Sequence, residues 1–142
     1  MKGINIFSGA GGLGSALTNP TELAYQKGAL KQRYPIVFGK RRWPDVETAY
    51  LTLKGEDRQA NDALMAELIA AKLTQHPRLR ETIVQRGGAP FLAACSHFTG
   101  ARTDRFRSWE GEGCDSRFIR NLIAGFELAQ SGATEGGQAS LF

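Results

Sequence analysis

The chain has 142 residues, 42% hydrophobic and 23% charged, which fits a single globular domain with one core. Eighteen basic residues against fourteen acidic ones give a formal charge of +4, and this mildly basic balance favours a phosphate-bearing ligand or a nucleic acid. We expect no membrane span, no signal peptide and no disulfide framework, and therefore a cytoplasmic location, because apolar runs are short and only two cysteines occur.

The N-terminal third predicts short elements joined by turns. Residues 3–8 are predicted to form a strand, which a glycine-rich loop at residues 9–14 follows. Residues 20–27 predict a short helix, with an acidic residue in its first turn. Residues 36–43 predict a hairpin that turns at Gly39.

The next segment predicts a helix with an unusual polar face. Pro44 is expected at its first position, acidic residues fall in the first turn, and Gly55 ends it. Helical spacing brings a carboxylate, a phenol and an ammonium onto one stripe, formed by Glu47, Tyr50, Leu51 and Lys54. Such a stripe could be one wall of an active site, although a solvated surface is the ordinary alternative.

The second half predicts four more helices and a tail. The helices cover residues 57–74, 78–86, 90–97 and 115–130, with a loop over 99–113 and Asp115 as N-cap of the last. The expected fold is α+β: a predominantly helical single domain over residues 1–130, with a small antiparallel sheet near the N-terminus from the first strand and the hairpin. Residues 131–142 are predicted to be a flexible, glycine-rich tail.

Two basic-aromatic segments are candidates for binding a nucleotide. The hairpin arm ends in Arg42 and Trp43, which suit phosphate pairing and base stacking. Residues 102–115 interleave three arginines with Phe and Trp, and they end in the candidate ligand-binding residues Gly111 and Asp115. A basic surface loop is the alternative for this second segment.

Two other motifs carry weaker indications. The string from Ile6 to Leu13 is similar to the cofactor loop of cytosine-C5 DNA methyltransferases, but a Pro-Cys nucleophile and an alternating strand-helix series are absent. A fragment that binds a methyl donor therefore remains only a third hypothesis. The spacing of the cysteines and histidines matches no zinc pattern, so neither a metal nor a cofactor is expected.

The polar helix carries a resemblance to a known family. Residues 46–54, Val-Glu-Thr-Ala-Tyr-Leu-Thr-Leu-Lys, resemble the V-E-H-A-Y-Q-A-x-K helix of the NADAR family. The resemblance extends over about residues 13–128 through five further segments: Leu17-Thr18-Asn19, Phe38-Gly39, Trp43-Pro44-Asp45, Trp109-Glu110-Gly111 and the final helix from Asp115 to Leu128. Departures are Thr48 in place of the family's His, Leu51-Thr52 in place of Gln-Ala, and Glu110 inserted in the family's W-G pair.

The resemblance implies hydrolysis of N-glycosidic bonds in ADP-ribosyl or phosphoribosyl compounds, including removal of ADP-ribose from guanine in nucleic acid. By position, Glu47 is the expected catalytic carboxylate, and Lys54 is a partner that holds phosphate or tunes Glu47. Asn19 and Trp109 are expected to line the ligand pocket, beside Tyr50.

The last five residues resemble the Q-L-[SD]-L-F peptide by which bacterial proteins bind the replicative sliding clamp. Gln138, Leu141 and Phe142 match it, with Leu141 and Phe142 as apolar anchors, whereas Ala139 replaces the preferred Leu. The clamp and DNA are therefore candidate partners, and a plain tail is the alternative. The competing functional hypothesis is a non-catalytic, DNA- and clamp-associated binding module.

Overall fold

Two long helices form the centre of the fold. The computed structural model describes residues 1–100 and 107–132. In chain order the helices are α1 Gly12–Ala16, α2 Thr21–Gln26, α3 Val46–Leu53, α4 Arg58–Gln75, α5 Pro77–Arg86, α6 Ala89–Ala93 and α7 Arg117–Ser131. The strands are β1 Ile36–Phe38, β2 Arg41–Trp43, β3 Ser96–His97 and β4 Gly111–Glu112, and a 3-10 turn covers Gly113–Asp115. The architecture is α+β and predominantly helical, as predicted.

Helices α4 and α7 pack against each other at close range through Gly125. A Cβ atom at this position would lie 2.6 Å from Ile69 Cγ2 and 2.8 Å from the carbonyl oxygen of Ala66. The apolar faces of both helices are buried here, with Leu68 and Ile69 on α4 and Ile119 and Leu122 on α7. Because α4 also contacts α3, this pair supports the helix that carries the polar stripe.

The predicted hairpin is present as an antiparallel pair of β1 and β2, in which Ile36 faces Trp43. Gly39 and Lys40 both have φ near +62°, the left-handed backbone of a two-residue turn that matches the strand twist. Trp43 is 3% exposed and donates its indole N–H to the carbonyl of Phe38 at 3.1 Å. The tryptophan is thus a core residue at the base of the hairpin.

The remaining sheet structure differs from the prediction. The N-terminal segment does not join the hairpin; Asn5 instead forms an isolated parallel bridge with Ser96. The helix predicted over residues 90–97 ends at Ala93, and β3 then pairs with β4, which lies inside the segment predicted as loop. These strands have two residues each, too few for the alternation that identifies a strand in sequence.

Two helices begin later than predicted, because a different side chain caps each of them. Asp45 is the N-cap of α3 and its carboxylate accepts the N–H of Thr48 at 2.8 Å, so Pro44 precedes the helix and is not its first residue. Ser116, not Asp115, is the N-cap of α7, and its hydroxyl accepts the N–H of Ile119 at 3.1 Å. Both caps satisfy N–H groups that the first helical turn leaves without partners.

Candidate active site

The polar stripe of α3 forms one wall of a cavity of about 510 Å³. All four of its side chains line this cavity: Glu47, Tyr50, Leu51 and Lys54. Tyr50 is buried, Glu47 is half-buried, and Leu51 and Lys54 are exposed. The stripe therefore runs from the interior to the rim, with the carboxylate on the sheltered side and the ammonium toward solvent.

The other walls come from segments far apart in sequence. Helix α4 supplies Arg58, Asn61 and Met65, α7 supplies Arg117 and Phe118, and β3 supplies His97. The connecting segments contribute Ser8, Thr18, Asn19, Pro20, Glu56, Thr99, Trp109 and Glu110. The predicted residues Asn19, Glu47, Tyr50, Lys54 and Trp109 are thus brought together in one cavity.

The pKa of Glu47 is raised from its ordinary value. Burial is the largest cause, the nearby Asp45 carboxylate adds to it, and the Lys54 ammonium acts in the opposite direction. A carboxylate with a raised pKa binds a proton more readily than one in water, so it is better suited to act as a general base. Glu47 therefore has an environment suited to proton transfer.

Arg117, Asp62 and Asn121 form a polar cluster that sequence reasoning missed. Arg117 is 9% exposed, and its Nε donates to Asp62 Oδ1 at 2.6 Å. Asn121 Nδ2 donates to the same oxygen at 3.1 Å. These interactions, with burial acting in the opposite direction, leave the pKa of Asp62 lowered. Arg117 and Asn121 are four residues apart, so helical spacing places them on one face of α7, but nothing local in the sequence connects them to Asp62.

This cluster supports the aromatic side of the cavity. The Arg117 guanidinium lies 4.0 Å from the centre of the Trp109 ring, and Tyr50 meets Trp109 edge-on with ring centres 6.0 Å apart. Burial also raises the pKa of Tyr50, so its phenol keeps its proton at neutral pH. Trp109 is consequently held between a cation and a second aromatic ring.

The segment before α2 brings Asn19 to the cavity from below α3. The backbone carbonyl of Asn19 accepts the N–H of Glu47 at 3.2 Å, so these two residues are neighbours on the wall. The buried ammonium group of Lys72 binds the carbonyls of Ala16 at 2.5 Å and Thr18 at 2.7 Å. Lys72 thereby fixes the segment that carries Asn19.

His97 and Glu110 also line the cavity and were not predicted as site residues. His97 Nδ1 lies 2.6 Å from the carbonyl of Ile6, and burial lowers the pKa of the imidazole, which is therefore neutral at pH 7. Glu110 accepts hydrogen bonds from the backbone N–H and the hydroxyl of Thr99. His97 is the second residue of β3, and a strand of two residues leaves no recognisable pattern in the sequence.

Four predicted ligand-binding residues lie away from this cavity. Arg42 is exposed on the hairpin, and Trp43 is buried beneath it. Gly111 pairs with His97 in the short sheet, whereas Asp115 lines a separate polar cavity of about 580 Å³. These four residues were expected to contact a nucleotide, but none of them lines the Glu47 cavity.

The glycine-rich loop is folded onto itself near the cavity. Ser15 Oγ accepts the N–H of Gly11 and donates to the carbonyl of Ser8, both at 2.7 Å.

Within residues 1–100 and 107–132 no group of three or more His, Cys, Asp or Glu side chains is placed to hold a metal ion. Helices in those ranges are too short or too polar to cross a membrane. The arginine-rich residues 102–105 and the clamp-like residues 138–142 lie outside the described part of the chain.

Comparisons with protein-family models, with curated proteins and with solved structures found no match. The resemblance of the α3 segment to the NADAR helix therefore stays a sequence-based hypothesis. Functional inference rests on the side chains that line the cavity.

Proposed function

We propose that this protein hydrolyses N-glycosidic bonds in ADP-ribose- or phosphoribose-linked nucleotides or nucleic acid, with Glu47 as the catalytic carboxylate. The observation that carries the proposal is the position of Glu47, which is half-buried on the wall of a cavity. The pKa of Glu47 is raised, and Lys54 lies on the same stripe. A carboxylate on a convex, solvated face would instead have favoured a binding module.

The proposed reaction uses the carboxylate at the sugar carbon. Water forms a bond to the anomeric carbon while the bond from that carbon to nitrogen breaks, and the departing nitrogen takes up a proton from solvent. Glu47 accepts the proton of the attacking water, and its negative charge stabilises the oxocarbenium-like transition state. Burial assists both roles because water screens a charge less in a sheltered site.

The cavity wall combines cationic and aromatic side chains, which suit the phosphate and the base of a nucleotide ligand. Lys54 and Arg58 place positive charge near the exposed rim, where a phosphate or diphosphate would be accommodated. Tyr50, Trp109 and Phe118 supply aromatic surface for a base. This arrangement supports a ligand that joins an anionic group to a ring.

Turnover of ADP-ribosylated guanine in DNA tests the proposal. We expect Glu47→Gln to lower the rate about 100- to 10,000-fold, because the amide cannot accept the proton. Glu67→Gln is the matched control, since Glu67 is an exposed glutamate of α4 that is absent from the cavity wall. Equal rates for Glu47→Gln and wild type would remove Glu47 from the catalytic role.

Binding of DNA and of the sliding clamp remains a prediction from sequence. It rests on the mildly basic charge and on the terminal Gln138, Leu141 and Phe142. Attachment to the clamp would hold the proposed hydrolase at DNA, which is compatible with removal of an adduct from a base.

A further inference from the structure

One buried polar atom on the cavity wall has no hydrogen-bond partner. Asn19 is 6% exposed and lines the cavity, and its side-chain oxygen Oδ1 makes no hydrogen bond. The amide nitrogen of the same side chain is directed to Met65 Sδ, at 3.4 Å. A buried acceptor without a partner is destabilising because it has lost its hydrogen bonds to water, so its presence in a cavity points to a ligand that donates a hydrogen bond.

The surroundings of Asn19 restrict which ligand group this can be. The main-chain hydrogen bond from the Glu47 N–H to the Asn19 carbonyl makes the two residues neighbours. Both residues line the same cavity, so we expect a ligand group that binds Asn19 to lie close to the carbon on which Glu47 acts. Of the ligand atoms bonded to an anomeric carbon, the ring oxygen carries no hydrogen, and the glycosidic nitrogen belongs to the bond that is broken. The hydroxyl on the adjacent carbon is the remaining donor.

We propose that Asn19 Oδ1 accepts a hydrogen bond from the 2-hydroxyl of the reacting ribose, and that the site therefore selects ribosyl over 2-deoxyribosyl substrates. This inference rests on the proposed function and sharpens it. It assigns the reaction to an ADP-ribose or phosphoribose unit and excludes release of a base from the deoxyribose of DNA itself. A hydrogen bond to this hydroxyl also strengthens in the transition state of glycoside hydrolysis.

Lys72 helps to hold the Asn19 backbone in position. Its hydrogen bonds to the Ala16 and Thr18 carbonyls hold the chain immediately before Asn19. The Asn19 carbonyl is held in turn by the N–H groups of Thr21 at 2.9 Å and Glu47 at 3.2 Å. Because the backbone on both sides is fixed, Asn19 has little freedom to turn toward another partner when the hydroxyl is missing.

The test compares two ligands on the full-length wild-type chain. Calorimetry would measure binding of ADP-ribose and of its analogue that lacks the 2-hydroxyl on the terminal ribose. We expect the analogue to bind about 10- to 100-fold more weakly, because the buried oxygen then stays without a donor. Equal affinity for the two would overturn the selection while leaving the proposed hydrolase intact. Binding of neither would overturn the proposed function and this inference with it.

Two variants test whether Asn19 is the residue that distinguishes the two ligands. Asn19→Leu should bind both ligands with similar affinity, because the acceptor is gone. Thr21→Val is the matched control: Thr21 Oγ1 is the other buried side-chain oxygen without a partner among the described residues, but Thr21 is not on the cavity wall. The substitution keeps the main-chain N–H of Thr21 that binds the Asn19 carbonyl. It should keep the full preference for ADP-ribose. A folded Asn19→Leu protein that still discriminates would overturn the role of Asn19, and if this variant does not fold, the wild-type comparison decides.

Discussion

Burial chiefly sets the pH at which Glu47 loses its proton, and the charge of Lys54 moderates it. Burial and Asp45 raise the pKa of Glu47, and Lys54 counteracts them. If Glu47 acts as a base, activity is present above its pKa and is lost as the pH falls through it. The acidic limb of the kcat/KM profile should therefore lie above the ordinary glutamate value of 4.5.

Lys54→Met should move that acidic limb to higher pH. Removing the ammonium leaves the two effects that raise the pKa of Glu47 without the one that lowers it. The kcat/KM profile between pH 4 and pH 8 measures the shift. Arg58→Met removes a different cation from the same cavity and should shift the limb less. A limb that stays in place, or moves down, in Lys54→Met would show that Glu47 is not the group that titrates.

Only part of the site was accessible from sequence at the level of residues. Helical periodicity placed Glu47, Tyr50 and Lys54 on one face, and that face does line the cavity. The pair of Asp62 and Arg117 is separated by 55 positions in the chain, so no local pattern could have joined it. Trp43 was predicted to bind a ligand and is instead buried in the core. A basic-aromatic segment in a sequence does not indicate whether its aromatic side chain is exposed or buried.

At the level of elements, the close approach of α4 and α7 depends on one glycine. Gly125 lies inside a helix, where glycine is intrinsically unfavourable by about 1 kcal/mol relative to alanine. Its position is explained by Ile69 and the Ala66 carbonyl, which a Cβ atom would meet at 2.6 and 2.8 Å. Helix pairing therefore outweighs helix propensity here.

Gly125→Ala should lower the free energy of unfolding by about 1–3 kcal/mol, because the backbone of α4 has to move and overpacking outweighs the gain in propensity. Denaturant titration measures the change. Gly55→Ala is the control: no atom lies within 4 Å of a Cβ at that position, and its φ is not positive. That variant should be unchanged or slightly more stable. A stabilised Gly125→Ala would mean that the two helices lie further apart than described.

Long helices were predictable and short strands were not, for a physical reason. Helices α4 and α7 have 18 and 15 residues, enough for several repeats of the apolar period. Strands β3 and β4 have two residues each, and they form because the chain folds so that Ser96 pairs with Glu112. Pairing of this kind is decided by tertiary contacts, not by local sequence.

At the scale of the whole molecule, a buried lysine ties the stability of the fold to pH. Burial lowers the pKa of Lys72 to about 7, and the Asp45 carboxylate opposes this shift. The neutral amine still has two N–H groups, which match the carbonyls of Ala16 and Thr18. The lysine is therefore compatible with a buried position in its uncharged form.

The free energy of unfolding should rise with pH above about 7 because of Lys72. Between the folded pKa of about 7 and the ordinary value of 10.5, the unfolded chain binds a proton that the folded chain lacks. Stability then rises by up to about 1.4 kcal/mol per pH unit. Below that window both states are protonated and this contribution is constant. Denaturant titrations between about pH 7 and pH 8.5 avoid most of the titration of tyrosines and thiols.

Lys72→Met isolates this contribution, because methionine fills much of the same volume and does not titrate. It should be less stable throughout, since the carbonyls of Ala16 and Thr18 lose their partner. The informative quantity is therefore the slope of stability against pH. The slope should be steeper in wild type than in Lys72→Met across the window. Parallel slopes would mean that the ammonium keeps its charge in the folded protein, and that Asp45 compensates its burial more strongly than the lowered pKa implies.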